Sequence, residues 1–176
     1  MINRIDIEKF IACKNDAPIF DVRTPAEFEH AHIPKAINLP IFTNDERAKI
    51  GTTYKQIGRE EAILLGFEIT GPKWRTFIET AKKYVSNKKL YVHCWRGGMR
   101  SGAMAWALDF YGFDVTIING GYKQYRNWVL QQFDNKYLFK VLGGKTGSHK
   151  TDILKEIEKL EEQIIDLEGL ANHLGS

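Results

Sequence analysis

The chain has 176 residues, of which 43% are hydrophobic and 27% charged, a composition typical of a globular protein rather than a disordered one. No apolar run approaches the roughly 18 residues of a membrane span, and the first residues lack an apolar signal core, which disfavours membrane spanning and secretion. The two cysteines, Cys13 and Cys94, cannot form a disulfide framework, so we expect a reducing, cytoplasmic setting.

The formal net charge of +3 conceals an uneven distribution of charge along the chain. Residues 152–176 hold seven acidic and two basic residues, whereas residues 1–151 hold 15 acidic and 23 basic ones, a balance of +8. An excess of this size favours a polyanionic partner, although a solvated lysine-rich surface gives the same count.

Apolar runs of strand length alternate with amphipathic stretches through the first three quarters of the chain. The predicted strands are 18–22, 36–39, 90–93 and 115–118. The predicted helices begin at Pro25 after Thr24 as N-cap, and lie within 43–66, 73–84, 102–111 and 122–133. This alternation predicts an α/β fold, a parallel sheet with helices on both faces and functional loops at the carboxyl ends of its strands.

Within these helices, glycines and apolar spacing predict breaks and inward faces. Gly51 and Gly66 are interpreted as breaks in the helical stretch 43–66, and Gly112 as the end of helix 102–111. Ala103, Ala107 and Phe110 are expected to point inward from that last helix.

A second unit is predicted to begin at residue 136, dividing the chain into domains 1–135 and 136–176. Residues 137–142 and 164–167 are predicted as strands and 153–162 as a helix, too few elements to complete a nucleotide-binding sheet. The loop before the helix fits the phosphate-binding pattern GxxxxGK[ST], except that His149 occupies the second glycine position. The candidate phosphate-binding residues are Gly144, Thr146, Gly147, Ser148, Lys150 and Thr151.

This second unit is therefore predicted to be an incomplete P-loop α/β unit. If the position of His149 requires a positive φ, histidine costs about 1 kcal/mol there, and its ring would crowd the phosphates. We do not expect this chain alone to bind a nucleotide or a diphosphate. A separate chain that supplies the rest of the domain is one possible partner.

The clearest chemical signal follows strand 90–93, where five residues separate Cys94 from Arg100 and Ser101 comes next. A short loop with two adjacent glycines can aim successive backbone N–H groups at one centre, and the helix N-terminus after it adds positive charge. We therefore expect the pKa of Cys94 to lie below its ordinary value of about 8.5, making it a nucleophile. The candidate anion-binding loop is Trp95, Arg96, Gly97, Gly98, Met99, Arg100 and Ser101.

The remaining cysteine and histidines have simpler interpretations. His93 is interpreted as a core or loop-orienting residue rather than a proton donor, and Cys13 as a small core hydrophobe. His30 and His32 lack metal-ligand spacing, so we assign no metal site.

The stretches 21–28 (DVRTPAEF) and 32–40 (HIPKAINLP) resemble rhodanese homology domains, whose cysteine loop accepts sulfur as a persulfide. The ordinary rhodanese loop has one residue fewer between cysteine and arginine, and the spacing seen here is also that of cysteine-dependent phosphatases. The loop by itself leaves both chemistries open. Four stretches are also similar to the bacterial tRNA 2-selenouridine synthases: 51–66, 94–101, 120–126 and 166–173.

That resemblance implies a transferase that replaces sulfur by selenium in the wobble 2-thiouridine of tRNA. It implies selenophosphate as the selenium donor, a geranylated intermediate formed from geranyl diphosphate, no tightly bound cofactor, and Cys94 as the catalytic nucleophile. Trp95 is expected either to stack on the uracil or contact the prenyl chain, or simply to pack under the loop. The alternatives are a cysteine-dependent phosphatase and a non-catalytic module that binds tRNA or a carrier protein.

Overall fold

Five strands form one parallel sheet in the order β1-β5-β4-β2-β3, so β4 lies at its centre. The computed structural model describes residues 2–13, 16–145 and 147–171, which divide into two units, Met1–Asn135 and Lys136–Ser176. The sheet belongs to the first unit, and the predicted parallel α/β fold is confirmed. Its strands are β1 (Asn3–Ile5), β2 (Ile19–Asp21), β3 (Ile37–Asn38), β4 (Lys89–His93) and β5 (Asp114–Ile118).

Helices cover both faces of this sheet, and successive strand residues therefore alternate between two cores. The helices of the first unit are α1 (Ile7–Cys13), α2 (Pro25–His30), α3 (Asn44–Gln56), α4 (Arg59–Thr70), α5 (Trp74–Tyr84), α6 (Met99–Tyr111) and α7 (Gly121–Gln132). Phe20 and Val92 pack in the first core with α5 and α6, whereas Ile19 and Ile118 pack in the second core with α1 and α7.

Helix α2 begins as the sequence predicts, and its first turn positions a residue of the candidate site. The Thr24 hydroxyl accepts a hydrogen bond from the backbone N–H of Glu27, and the Glu27 carboxylate accepts one from the N–H of Thr24. This capping box satisfies two N–H groups that the helix leaves free, and Pro25 needs no partner in the first turn. The same box fixes the backbone and carboxylate of Glu27.

Three details of the first unit differ from the sequence predictions. Strand β1 was not predicted, because its three residues are polar or half-buried and it is held by pairing with β5. Gly51 and Gly66 lie inside α3 and α4, and the break between these helices is at Gly58. Phe110 points outward with 84% of its surface exposed, since α6 turns Met104 and Leu108 into the core instead.

The second unit contains α8 (Lys150–Lys159) and α9 (Leu167–Leu170), and neither of its predicted strands is formed. Residues 137–142 and 164–167 have strand-like sequences, but no described segment pairs with them, and the last residue of the second run begins α9 instead. A strand without a neighbour leaves its backbone N–H and C=O groups without sheet partners, which explains why the prediction is wrong here.

Candidate functional site

The candidate site lies where the carboxyl ends of the central strands meet. Asp21 at the end of β2 is paired in register with His93 at the end of β4, and Cys94 follows directly. On the other side of β4, the turn after β5 contacts the same loop. Cys94 therefore lies between the loops of two neighbouring strands, the position at which open α/β sheets form their sites.

The Cys94 thiol is buried, with 4% of the residue exposed, and hydrogen-bond donors surround it. Its Sγ atom lies 3.4 Å from the Ser101 hydroxyl oxygen, and the backbone N–H groups of Arg96 and Ser101 donate toward it. The Ser101 hydroxyl also lies 3.0 Å from the carbonyl oxygen of Gly98, to which it donates. A hydroxyl has one proton, so it can donate either to this carbonyl or to a thiolate, but not to both.

These donors decide the ionisation of Cys94. Burial alone would raise the pKa of the thiol, but the hydrogen bonds from Ser101, the charge of Arg100 and the N–H of Arg96 outweigh burial and lower it below its ordinary value. The direction agrees with the sequence expectation. A cysteine with a lowered pKa carries more of the nucleophilic thiolate at neutral pH.

Arg100 is held beside the loop by a carboxylate that lies outside the cysteine motif. Its guanidinium donates to both carboxylate oxygens of Glu27, at 2.6 and 3.2 Å. Burial would raise the pKa of Glu27, but the hydrogen bonds and charge of Arg100 outweigh it and keep the pKa below its ordinary value. The capping-box pattern of Thr24 and Glu27 was the signal that could have found this residue.

His93 and a buried ion pair lie beneath the loop. Arg23 donates through Nη2 to Asp21 at 2.6 Å and to the carbonyl oxygen of Ala31 at 2.8 Å, with both charged side chains at most 1% exposed. Burial lowers the pKa of His93, and the charge of Asp21 does not reverse this. A neutral, fully buried imidazole favours the loop-orienting interpretation of His93 over that of a proton donor.

Two close backbone approaches lock the turn after β5 against the loop. The N–H groups of Tyr122 and Lys123 donate to the carbonyl oxygens of Cys94 and Trp95, each at 2.9 Å. A Cβ atom on Gly121 would lie 2.2 Å from the Cys94 carbonyl oxygen, and one on Gly97 would lie 2.7 Å from the Ile118 carbonyl oxygen. Both glycines also have positive φ, so no other residue fits either position without rearrangement.

The outer part of the loop is open. Arg96, Gly98 and Met99 are exposed, and Trp95 retains 37% of its surface. The Trp95 ring lies 5.7 Å from that of Tyr122, over which the Arg23 guanidinium sits at 4.1 Å. Trp95 therefore packs on one side and remains accessible on the other.

Two of the candidate phosphate-binding residues of the second unit donate to the same carbonyl group. Lys150 Nζ and Ser148 Oγ donate to the carbonyl oxygen of Lys145 at 3.0 and 2.7 Å. His149 has φ of 55°, the left-handed conformation that the pattern normally fills with glycine. Thr151 donates to Glu168 at 3.3 Å, Gly144 and Gly147 lie in the same exposed loop, and Thr146 lies outside the described residues.

The other single residues have structural partners. Cys13 is half-buried, its Sγ 3.3 Å from the hydroxyl oxygen of Tyr91, and the His32 ring stacks on Phe28. Across residues 2–13, 16–145 and 147–171, no group of three or more potential ligands from histidine, cysteine, aspartate and glutamate could hold a metal. No helix in that part of the chain is long and apolar enough to cross a membrane.

Residues 6–127 match the rhodanese-like domain family, and this match covers strands β2 to β5 and the Cys94 loop. The chain belongs to the rhodanese-like domain family. Residues 137–176 match the AAA domain of tRNA 2-selenouridine synthase, so the resemblance to those synthases is confirmed in both units.

Known relatives agree with both matches. A tRNA 2-selenouridine synthase of Shewanella denitrificans is 40% identical over 170 residues, covering 90% of this chain and 44% of the relative. One of Marinobacter nauticus is 36% identical, covering 100% of this chain and 48% of the relative. The chain thus spans about half the length of the curated relatives it matches. The solved N-terminal domain of a Clostridium difficile 630 protein is 41% identical, covers 73% of this chain and 99% of that domain, and has a TM-score of 0.65.

Proposed function

We propose that this chain provides the cysteine site of a tRNA 2-selenouridine synthase. In this proposal, the enzyme replaces sulfur by selenium in wobble 2-thiouridine of tRNA, with selenophosphate as donor and a geranylated intermediate from geranyl diphosphate. The observation that carries the proposal is the Cys94 thiol, whose pKa is lowered within a loop that also presents Arg96 and Arg100. The synthase relatives and the rhodanese-like fold support a transferase in general.

Each part of the loop has a role in this proposal. Cys94 is the nucleophile that handles the chalcogen, and the N–H groups of Arg96 and Ser101 stabilise its charge. Arg96 is exposed and available to an incoming anion, whereas Glu27 holds Arg100 in one orientation. Selenophosphate and geranyl diphosphate are both anions, the class of ligand that such donors bind.

A cysteine-dependent phosphatase is less consistent with the same geometry. That reaction requires a general acid to protonate the leaving group. The two carboxylates held by arginines at this edge are Asp21, buried against Arg23, and Glu27, whose lowered pKa keeps it ionised near neutral pH. Neither is suited to donate a proton.

The test uses strains in which the chromosomal gene carries Cys94→Ala or, as a matched control, Cys13→Ala. We expect mass spectrometry of tRNA nucleosides to find no 2-selenouridine with Cys94→Ala and normal amounts with Cys13→Ala. Normal 2-selenouridine in the Cys94→Ala strain would refute the role of Cys94. Hydrolysis of an aryl phosphate by the purified chain, dependent on Cys94, would instead favour the phosphatase.

A further inference from the structure

An exposed basic surface continues from the Cys94 loop onto helix α7. Arg96, Lys123 and Arg126 are exposed, and none of them forms an ion pair with any residue that the structure describes. Helix α7 itself, GYKQYRNWVLQQ, contains no acidic residue. These charges are therefore available to a partner, unlike that of Arg100, which Glu27 neutralises.

Backbone contacts place these cations beside the nucleophile. The N–H of Lys123 donates to the Trp95 carbonyl oxygen at 2.9 Å, which fixes the first turn of α7 against the loop. Arg126 follows Lys123 by three residues, so both side chains lie on the same face of the helix. The inward face of α7 carries Tyr122 and Trp128, which pack in the second core, and the basic face must remain outside.

Trp95 adds an aromatic surface to the same edge. Its ring is supported by Tyr122 at 5.7 Å, while 37% of the residue stays exposed directly after Cys94. An exposed, supported indole can stack on a nucleobase without first losing much conformational freedom.

We propose that Trp95, Arg96, Lys123 and Arg126 form an RNA-contact face that binds an unpaired segment of RNA. One base stacks on the Trp95 ring, and the three cations contact the phosphates on either side of it. An acidic protein would need only the cations, whereas the exposed ring beside them favours RNA. This inference rests on the proposed function and adds the residues of this chain that receive the RNA.

The first experiment measures binding of a labelled RNA hairpin with an unpaired loop to the full chain carrying Cys94→Ala, over a range of salt concentrations. Each lost phosphate contact lowers the slope of log affinity against log salt by roughly 0.7 to 0.9. We therefore expect Lys123→Ala/Arg126→Ala to lower that slope by about 1.5. The control Lys83→Ala/Lys89→Ala removes two exposed lysines, one in the last turn of α5 and one at the start of β4, the end of that strand away from Cys94. We expect it to leave the slope unchanged.

The second experiment tests the stacking contact. We expect Trp95→Ala to weaken binding roughly tenfold with the salt slope unchanged, and Trp95→Phe to retain most of the affinity. A fully paired RNA of the same length should bind more weakly than the hairpin, because its bases are not free to stack. Circular dichroism spectra checked against the unsubstituted chain confirm that each variant is folded.

Several results would overturn the RNA-contact face. The first three are no binding of the hairpin, equal salt slopes for the two double variants, and equal affinity for the hairpin and the duplex. The fourth is displacement of the RNA by an acidic peptide that binds the Trp95→Ala variant as tightly as the unsubstituted chain. The binding assay uses Cys94→Ala, which removes the exchange reaction, so it measures RNA binding separately from the chemistry. Absence of RNA binding therefore overturns this inference and leaves the nucleoside test of the proposed function intact. Intact RNA binding, together with normal 2-selenouridine in the Cys94→Ala strain, overturns the proposed function instead.

Discussion

The substitution Gly121→Ala tests the idea that the turn after β5 shapes the cysteine loop. The new Cβ atom would lie 2.2 Å from the Cys94 carbonyl oxygen and 2.7 Å from the Gly97 backbone nitrogen, so the two segments must separate by roughly 1 Å. The left-handed φ of 56° costs about 1 kcal/mol for alanine. Weakening the two hydrogen bonds from Tyr122 and Lys123 adds about 0.5–1.5 kcal/mol each.

Together these terms predict a loss of about 2–4 kcal/mol in the free energy of unfolding. Gly112→Ala is the matched control, because Gly112 also has positive φ but a Cβ atom there meets nothing within 4 Å. We expect this control to lose only the backbone cost of about 1 kcal/mol. Urea denaturation measures both values, and equal losses for the two variants would refute the steric argument.

The same variant should change the chemistry of the thiol. Moving the loop away from Gly121 shifts the N–H groups of Arg96 and Ser101 that lower the pKa of Cys94. We therefore expect the pH profile of iodoacetamide alkylation of Cys94 to move to higher pH in Gly121→Ala and to stay in place in Gly112→Ala, each in a Cys13→Ala background. An unchanged profile in the first variant would show that the turn does not control the loop.

Three further predictions follow from the site and the core. Ser101→Ala removes a hydrogen bond that lowers the pKa of Cys94, so its alkylation profile should move to higher pH; no movement would contradict that contact. The pKa of Glu27 is lowered in the folded protein, so Glu27 stabilises the fold above its ordinary pKa of 4.5 and loses this effect as the pH falls through the lowered value. In urea denaturation at a series of acidic pH values, the free energy of unfolding should therefore fall less steeply with decreasing pH in Glu27→Gln than in the unsubstituted chain. Leu108→Ala should cost about 2–5 kcal/mol in urea denaturation and Phe110→Ala less than about 0.5 kcal/mol; the reverse order would contradict the observed face of α6.

Local patterns predicted most of the first unit because local interactions determine its elements. The Thr24 cap and the apolar runs at 90–93 and 115–118 carry their own signals, and the structure forms each of them. Strand β1 depends on pairing with β5, more than a hundred residues away, and no local pattern could reveal it. Runs 137–142 and 164–167 have the opposite problem, since their strand propensity finds no partner to pair with.

The candidate site, like the fold, could be predicted from the sequence only where its residues are close together in the chain. The Cys94 loop could be identified from spacing, because its glycines, arginines and serine are contiguous in the chain. The capping box marks Glu27 in the sequence, but its contact with Arg100 and the approach of Gly121 to the loop could not be predicted, because only tertiary packing brings these distant elements together.

The single proton of the Ser101 hydroxyl links the charge of Cys94 to the hydrogen bonds of the first turn of α6. While the thiol is neutral, this hydroxyl donates to the Gly98 carbonyl oxygen at the start of α6, which also accepts the backbone N–H of Gly102 at 2.9 Å. When the sulfur ionises, the hydroxyl must rotate toward it and release that carbonyl. Because the N–H of Gly102 keeps its bond to that carbonyl, the first turn of α6 stays closed, and ionisation of the thiol requires the rotation of a single hydroxyl rather than a movement of the loop.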